Sequence, residues 1–425
     1  MGGKRHVSLV VVLLLLSFFI RAAPVWMKPE KIRNGMGPFG DTPVYVQIAG
    51  NILDGKGFSQ SPEGDKPAVL RTPIYPLFLV LFQWTGSRAL DITRTIQCLI
   101  DTGTVLLVFL SARMLARGRW NHVNALAAAL LGATCPYLFT YARYLLSETL
   151  TVFFVTLALT LTLWAVRSRY RGLWVLAGAA FGLSGLARPD KGWVIIFLIP
   201  ALILVYRGKI RKALPDLILM IAGFACCLAP WTIRNAVHFG RFIPYGAGNI
   251  GFNLYIGTWE DSSRWMASGW DFPRDTGPPG EREEVEEILS FLKVSHVLSG
   301  GSEMFEPDKR LLAISMKRIA GAPADYSRLC LARIPRLWWF DPYDKYLYPD
   351  PPGIYFAVYF VLALIGTAVL WKHSDRLFLI PWTLLIYITV VHIPLHVEAR
   401  FSLAGLPALF LLASGILSSD RKIPD

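Results

Sequence analysis

The chain has 425 residues, of which 54% are hydrophobic and only 17% are charged, and its mean hydropathy is +0.44. Soluble chains carry about 25% charged residues, so the composition excludes an ordinary soluble domain and indicates a polytopic membrane protein. The net charge of +13 comes from short basic clusters between apolar runs, a pattern of membrane topology, and we expect no nucleic-acid partner. The five cysteines show no CxxC or metal-ligand spacing, so we predict neither a disulfide nor a zinc site.

The first apolar run, from Val7 to Ile20, is short for a membrane span and follows the basic pair "KR". With "RAAP" after it, the run is also typical of a secretory signal peptide. We favour an uncleaved first helix, because "RAAPVWM" can extend the run to spanning length. Arg21 is then expected to reach the outer membrane surface by snorkelling.

Basic clusters between the apolar runs indicate which runs cross the membrane, since short loops rich in lysine and arginine stay cytoplasmic. A span needs about 20 mostly apolar residues, and the candidate runs are 7–24, 73–85, 95–112, 122–139, 148–166, 172–187, 192–206, 213–231, 353–371, 376–394 and 401–418. If 73–85 crosses the membrane, the basic clusters from Arg113 up to the long polar loop would lie on the external side. If it does not cross, all the basic clusters lie on the cytoplasmic side. We therefore predict 73–85 to be a juxtamembrane or re-entrant helix. About ten spanning helices then remain, with both termini cytoplasmic.

The predicted fold is an all-α polytopic membrane bundle in three parts. Residues 1–231 form an N-terminal transmembrane module with a first external loop at 25–94, residues 232–352 form an external region, and residues 353–425 form the C-terminal transmembrane helices. In the external region, "EREEVEEILSFLKVSHVL" and "DKRLLAISMKRIAGAPADYSRLCLARIPRLWWF" are predicted to be amphipathic helices, the second lying at the membrane interface.

This topology places ionisable residues from distant parts of the chain on one external face. Such residues at the membrane edge are costly and indicate a functional site. They are Asp41, Arg71, Glu148, Arg188, Asp190, Lys191, Arg234, His396, Glu398 and Arg400. We expect the site to lie among them.

The mixed segment "GDTPVYVQIAGNILDGKGFSQ" follows the first run and opens the external loop. "VYVQIAGNIL" predicts a short helix with Tyr45, Ile48 and Ala49 on one face. Asp41 can cap this helix, with Pro43 in its first turn, and this purely structural role competes with a catalytic one.

An ordered set of segments resembles bacterial GT-C glycosyltransferases, the family related to protein O-mannosyltransferases and to the aminoarabinose transferase of lipid A. The set begins with "FFIRAAP", "GDTPVYVQIAGNILDGKGFS" and "RTPIYPLFLVLF". It continues through "ARYLLSETL", "GLSGLARPDKG", "APWTIRNAVHFGRFIPYGAGNIGFNLYIGT" and "HVEARFSLAGLPALFLLASG". Together the segments cover nearly the whole chain.

The resemblance implies a polyprenyl-phosphate sugar donor, a lipid, glycan or protein acceptor, and transfer on the external face. Asp41 occupies the position of the family's catalytic aspartate, and Glu148 matches a second acid at the start of a later span. Arg71 matches the basic residue associated with the donor phosphate, and we place Tyr45 in the same substrate-binding group. Thr42 stands where many members have an acid, which weakens any two-carboxylate site here. We expect no cofactor, although the residues do not exclude a divalent metal.

Elementary chemistry agrees with these roles. Displacement of a lipid phosphate from the anomeric carbon needs a base for the acceptor hydroxyl, which a carboxylate supplies. It also needs cations at the departing phosphate, for which the guanidinium fork is suited. Arg234 and Arg400 could each contact phosphate or only anchor the end of a span.

The other charged or polar residues have simpler predicted roles. Arg188 and Lys191 flank Asp190, and we predict a local ion-pair turn. Asp101 is expected to make a buried hydrogen bond, and His396 to pack at the membrane interface. Glu398 could pair with Arg400.

Two other functions share these features: a transporter or flippase of lipid-linked sugars, and a non-catalytic scaffold of the cell envelope. Transporters often show internal repeats and broken helices near the membrane midplane, and neither is evident in the sequence. The favoured prediction is a glycosyltransferase of the bacterial inner or plasma membrane, with its active site on the extracytoplasmic side.

Overall fold

The computed structural model describes residues 2–27, 41–115, 121–168, 170–258, 283, 287–288, 290–291, 300–339, 352–372 and 376–418. Regular structure in these residues is helical, apart from one isolated bridge between Ser59 and Pro67. The predicted all-α class is therefore confirmed. The amphipathic helix expected in 281–298, most of the polar loop before it and several basic clusters lie largely outside the described residues.

The α-helices follow the predicted apolar runs closely. Their bounds are α1 Gly2–Met27, α2 Asp41–Leu53, α3 Ile74–Val80, α4 Ala89–Leu115, α5 Asn121–Thr134, α6 Pro136–Tyr141, α7 Glu148–Ser168, α8 Gly172–Ala187, α9 Pro189–Gly192, α10 Val194–Val205, α11 Ile210–Phe239, α12 Ile250–Gly257, α13 Phe305–Gly321, α14 Pro323–Trp339, α15 Pro352–Lys372, α16 Leu379–His392 and α17 Leu406–Ser414. Short 3₁₀ helices precede α4, α13, α16 and α17, and another follows α17.

Six helical segments in the described residues are long and apolar enough to cross a membrane. They are Val7–Met27, Gln83–Leu115, Glu148–Ser168, Ile210–Phe239, Ile354–Lys372 and Ala399–Leu417, and Gly172–Ala187 and Arg376–His392 are shorter apolar helices. The chain is thus a multi-pass membrane protein. The total of ten spans stays a prediction.

The run 73–85 does not form one long helix. Helix α3 ends at Val80, and its seven residues reach only about 10 Å, against about 30 Å for the hydrocarbon core. The following 3₁₀ segment turns sharply at Gly86, whose φ of 63° suits glycine. This short helix agrees with the prediction that 73–85 does not cross the membrane.

The prediction that Arg21 snorkels to the surface was wrong, because its side chain is fully buried between α1, α4 and α5. Arg21 Nε lies 2.5 Å from Asp101 Oδ2, so the buried hydrogen bond expected for Asp101 is part of an ion pair. The same guanidinium donates to the carbonyls of Gly132 and Ala133, each at 3.0 Å. Those carbonyls lie in the last turn of α5, and Pro136 has no N–H for Gly132. Buried acceptors therefore hold Arg21 inside the bundle.

Close packing between α8 and α11 sets the position of the turn after α8. A Cβ on Gly178 would lie 1.8 Å from the carbonyl oxygen of Met220, and one on Gly223 would lie 2.0 Å from that of Val175. Only glycine permits backbones to approach this closely. Helix α8, which leads into Arg188, is thereby fixed against α11.

Within the segment 232–352, helices α12 and α13 pack against each other. Asp308 of α13 accepts the backbone N–H of Phe252 at 2.9 Å and so joins the two helices. Leu70, in the predicted first external loop, packs into the same apolar cluster as Phe252 and Leu311. The long amphipathic stretch predicted here is two helices, because α13 ends at Gly321 and α14 begins at Pro323.

Candidate functional site

Asp41 is the first residue of α2, and its carboxylate contacts two guanidinium groups. Oδ1 lies 2.6 Å from Arg71 Nη2, and Oδ2 lies 3.1 Å from Arg400 Nη1. The buried Thr42 hydroxyl donates to the carbonyl of Leu145 at 3.1 Å and ties the start of α2 to the segment before α7. Residues more than 300 positions apart thus meet at one carboxylate.

Glu148 begins α7 and forms the second carboxylate of this cluster. Its Oε1 lies 2.6 Å from Arg188 Nη1 and 3.4 Å from Arg400 Nη1. The side chain is only 4% exposed, and Oε2 has no hydrogen-bond partner among the described residues. Arg400 therefore lies between Asp41 and Glu148 and contacts both.

The predicted ion-pair turn at Arg188, Asp190 and Lys191 is present, but it is part of a larger network. Asp190 lies 3.2 Å from Arg188 and 2.6 Å from Lys191, and it also contacts His392 Nε2 at 3.0 Å. Burial would raise the pKa of Asp190, but the Lys191 and Arg188 charges hold it well below its usual value. Sequence reasoning missed the link from Arg188 to Glu148, because Glu148 begins α7 and Arg188 follows α8, 40 positions later.

Arg400 is paired with Glu398, as expected. Arg400 Nε and Nη2 donate to the two oxygens of Glu398 at 2.6 and 3.3 Å, a bidentate arrangement. His396, predicted to pack at the interface, contacts Glu398 at 3.3 Å and the Phe401 ring. Burial would raise the pKa of Glu398, but Arg400 and His396 lower it to about 2.

Tyr45, one turn after Asp41 on α2, lies beside the same cluster. The Arg71 guanidinium lies 5.8 Å from the centre of its ring, and its hydroxyl donates to Ser147 at 3.3 Å. Burial, followed by the nearby charge of Asp41, raises the pKa of Tyr45. Tyr45 is therefore a neutral wall residue beside Arg71.

Arg234 lies apart from these charges. Its guanidinium donates to the carbonyls of Ala68 and Phe58 at 2.7 and 3.1 Å and stacks over Trp231 at 4.8 Å. Arg234 does not line the cavity, and its Nη1 also donates to Asn235 Oδ1 at 2.9 Å, so its phosphate contact stays a prediction. Arg234 secures the loop that leads to Arg71.

A cavity of about 830 Å³ opens beside the cluster. Its inner wall includes Asp41, Tyr45, Arg71, Arg188 and Asp190, whereas Glu148 and Arg400 do not line the cavity. Its outer wall comes from the segment 241–253 and from α13. The site therefore combines a carboxylate and guanidinium groups with a space large enough for a sugar.

The described residues contain no group of three or more His, Cys, Asp or Glu side chains arranged to hold a metal ion. Three acidic side chains at or beside the cavity instead contact arginine or lysine. Asp41, Glu148 and Asp190 each have a cationic partner within 2.6 Å.

The arrangement of helices is shared with solved membrane proteins. The archaeal oligosaccharyltransferase AglB from Archaeoglobus fulgidus, in complex with an inhibitory peptide and a dolichol phosphate, matches with a TM-score of 0.57 and 15% identity. The match covers 97% of this chain and 50% of AglB. The apo form of the Archaeoglobus fulgidus enzyme matches with a TM-score of 0.56 at 17% identity, over 96% of this chain and 50% of that one. The chain has the GT-C fold.

Two further comparisons concern the family and a second solved enzyme. The profile of a family described as dolichyl-phosphate-mannose-protein mannosyltransferase matches residues 66–233. ArnT from Cupriavidus metallidurans, bound to undecaprenyl phosphate, has 18% identity and a TM-score of 0.38, covering 96% of this chain and 77% of ArnT. A search of curated proteins found no match. The fold that the resemblance implied is thus confirmed, and the chain spans about half the length of the archaeal enzyme.

Proposed function

We propose that the protein is a membrane glycosyltransferase that moves a sugar from a polyprenyl-phosphate donor to an acceptor hydroxyl on the extracytoplasmic face. The observation that carries this proposal is the contact between Asp41 and Arg71 on the wall of the cavity, within a GT-C fold. A carboxylate can take a proton from a hydroxyl, and a guanidinium can bind a phosphate. The two groups required at the anomeric centre are thus adjacent.

The lipid-linked donor is supported by two comparisons. The matching family is described as dolichyl-phosphate-mannose-protein mannosyltransferase, and AglB was solved in complex with a dolichol phosphate. A phosphate attached to a polyprenyl tail stays at the membrane surface, because the tail lies in lipid. A polyprenyl-phosphate sugar therefore suits a site at the edge of the bundle.

The reaction proposed is a single displacement at the anomeric carbon. The acceptor oxygen forms a bond to this carbon while the bond from the carbon to the phosphate oxygen breaks. The bonding electron pair leaves with the polyprenyl phosphate, and Asp41 takes the acceptor proton. Because the acceptor oxygen attacks the anomeric carbon from the side opposite the departing phosphate, the anomeric configuration is inverted.

Donor binding must change the ion pairs of the cluster. Arg71 contacts Asp41 at 2.6 Å, so a phosphate that binds Arg71 replaces this carboxylate as its partner. Asp41 then turns towards the acceptor hydroxyl, while Arg400 keeps it oriented. Exchange of one anion for another limits the cost of bringing a charged phosphate into a partly buried site.

The outer wall supplies the surface that selects the acceptor. It is formed by the segment 241–253 and α13, which belong to the external region 232–352. Because this wall faces the charged cluster across the cavity, an acceptor bound against it would present its hydroxyl to Asp41. The acceptor is a lipid, a glycan or a protein.

The test uses purified protein in liposomes with a series of polyprenyl-phosphate sugars labelled in the sugar. A transferase releases polyprenyl phosphate and moves the label to an acceptor supplied as a cell-envelope extract. A transporter or flippase moves the label across the bilayer and leaves the donor intact. Liposomes without protein give the background hydrolysis. An intact donor with every sugar and acceptor would overturn the proposal.

A further inference from the structure

Arg400 and Arg188 both contact Glu148, but they differ in how many of their guanidinium nitrogens have a partner. In Arg400, Nε and Nη2 bind Glu398, while Nη1 contacts both Asp41 and Glu148. Every nitrogen of this guanidinium therefore has a carboxylate partner. These contacts account for four of its five N–H groups, and Arg400 does not line the cavity.

In Arg188, by contrast, only two of the three guanidinium nitrogens contact a carboxylate among the described residues. Its Nε contacts Asp190 at 3.2 Å and its Nη1 contacts Glu148 at 2.6 Å. Within the part of the chain that the structure describes, its Nη2 has no hydrogen-bond partner. The side chain is 17% exposed and lines the cavity, as Arg71 does.

The packing around Arg188 fixes its direction. The guanidinium lies 5.4 Å from the centre of the Phe401 ring, and Asp190 and Glu148 hold two of its three nitrogens. Asp190 is itself fixed by Lys191 and His392. A cation held in this way is preorganised, so an anion that binds it does not bear the cost of ordering a long side chain.

We propose that Arg188, with Arg71, is the guanidinium pair that holds the donor phosphate, and that Asp190 is a positioning residue for Arg188. Arg400 then orients Asp41 and Glu148 and does not contact the phosphate. This inference rests on the proposed function. It changes the roles predicted from sequence, which gave Arg400 a possible phosphate contact and Arg188 only a local turn.

The test measures binding of undecaprenyl phosphate, without a sugar, to the full-length protein in nanodiscs. Arg188→Lys keeps a charge beside Glu148 but loses the fork, and Arg188→Gln removes the charge. A hydrogen bond to a charged group contributes about 1.5–3 kcal/mol, so we expect binding to weaken by about 10-fold or more in both variants. Arg328→Lys is the matched control, because Arg328 is 81% exposed and pairs only locally with Asp325. It should bind as the wild type does.

Arg400→Lys separates the two arginines. We expect it to lower turnover while changing undecaprenyl phosphate binding by less than about 3-fold, because Arg400 acts through Asp41. Asp190→Asn should weaken binding in the wild-type background and have little further effect in Arg188→Lys, since coupled residues are not additive. Equal effects of Asp190→Asn in both backgrounds would remove the positioning role.

Two ligand controls identify the source of the phosphate. Polyprenol, which lacks phosphate, should bind weakly and without dependence on Arg188. Phosphatidylglycerol in the nanodisc should not compete at a molar excess; if it competes with the same dependence on Arg188, the site is a general lipid headgroup site and the donor assignment fails. If the wild type binds undecaprenyl phosphate and both Arg188→Lys and Arg188→Gln bind it equally well, the inference about Arg188 is overturned but the proposed function is not. No binding by the wild type would overturn the proposed function with it.

Discussion

Arg71 Nη2 lies 2.6 Å from Asp41 Oδ1, although the two residues are 30 positions apart in the chain. The start of α2 and the segment before α3 are thus joined through their side chains. Arg400, from the 3₁₀ helix before α17, completes the arrangement at 3.1 Å from the same carboxylate. A carboxylate held between two guanidinium groups has a fixed orientation before any substrate binds.

Arg71 is expected to contribute to donor binding through the geometry of its fork. Arg71→Ala should raise the KM for the lipid-linked donor and lower kcat/KM by about 10-fold or more, because a charged hydrogen bond is lost. Arg71→Lys should recover only part of this loss, since lysine keeps the charge without two parallel donors. Steady-state kinetics with varied donor measure both effects. Wild-type kinetics in Arg71→Ala would place Arg71 outside the site.

The topology predicts which side of the membrane each loop faces. In a background without the five native cysteines, a cysteine at Ser87 should react with an impermeant maleimide added from outside. A cysteine at Lys209 should react only after the membrane is opened. Both positions are exposed in the structure, so lack of labelling would not reflect burial. Labelling of Lys209 from outside would reverse the orientation and place the site on the cytoplasmic face.

The buried pair of Arg21 and Asp101 should be important for stability. Removing one partner of a buried ion pair costs about 3–5 kcal/mol, because the other charge is left without compensation. Asp101→Leu should therefore lower the thermal midpoint of the detergent-solubilised protein markedly. The double variant with Arg21→Met should recover part of the loss, as both charges are then absent. If the single variant is as stable as the wild type, the pair does not anchor α1.

Glu398 predicts a pH dependence of stability with a definite sign. Its pKa is lowered in the folded protein to about 2 from a usual value of 4.5. The ionised Glu398 side chain therefore stabilises the fold fully at pH values above about 4.5. This contribution is lost as the pH falls from about 4.5 towards 2. The stability difference between wild type and Glu398→Gln should be constant from pH 7 to 5 and smaller at pH 3.5. A difference that shrinks between pH 7 and 5 would contradict the assignment.

The sequence predicted the helical segments well, and the structure places the candidate residues Asp41 and Arg71 in contact. Apolar runs of spanning length are strong local signals, and Asp41 and Arg71 belong to contiguous motifs. Partners distant in the chain were harder to predict. Arg21 near a helix end has the pattern of a snorkelling residue, and only the approach of Asp101 and the α5 carbonyls shows that it is buried.

The same limit explains the assignments of the other arginines. Arg188 has an acid two residues later, so a local ion pair was the simplest prediction, and its contact with Glu148 depends on how α7 and α8 pack. Arg234 and Arg400 both lie at helix ends, and no local feature separates them. Their difference arises from which backbone carbonyls or carboxylates reach each guanidinium in three dimensions.

The role of Asp41 as the base is the central claim, and Asp41→Asn tests it most directly. Asparagine caps a helix about as well as aspartate, so the variant should still fold cooperatively, with a thermal midpoint lowered by the weakened contacts to Arg71 and Arg400, and should still bind undecaprenyl phosphate. Because its amide cannot accept the proton, release of polyprenyl phosphate from the labelled donor should fall by about 10²–10⁴-fold. If the folded variant retains most of its turnover, Asp41 is only a cap, and the base must be sought at Glu148.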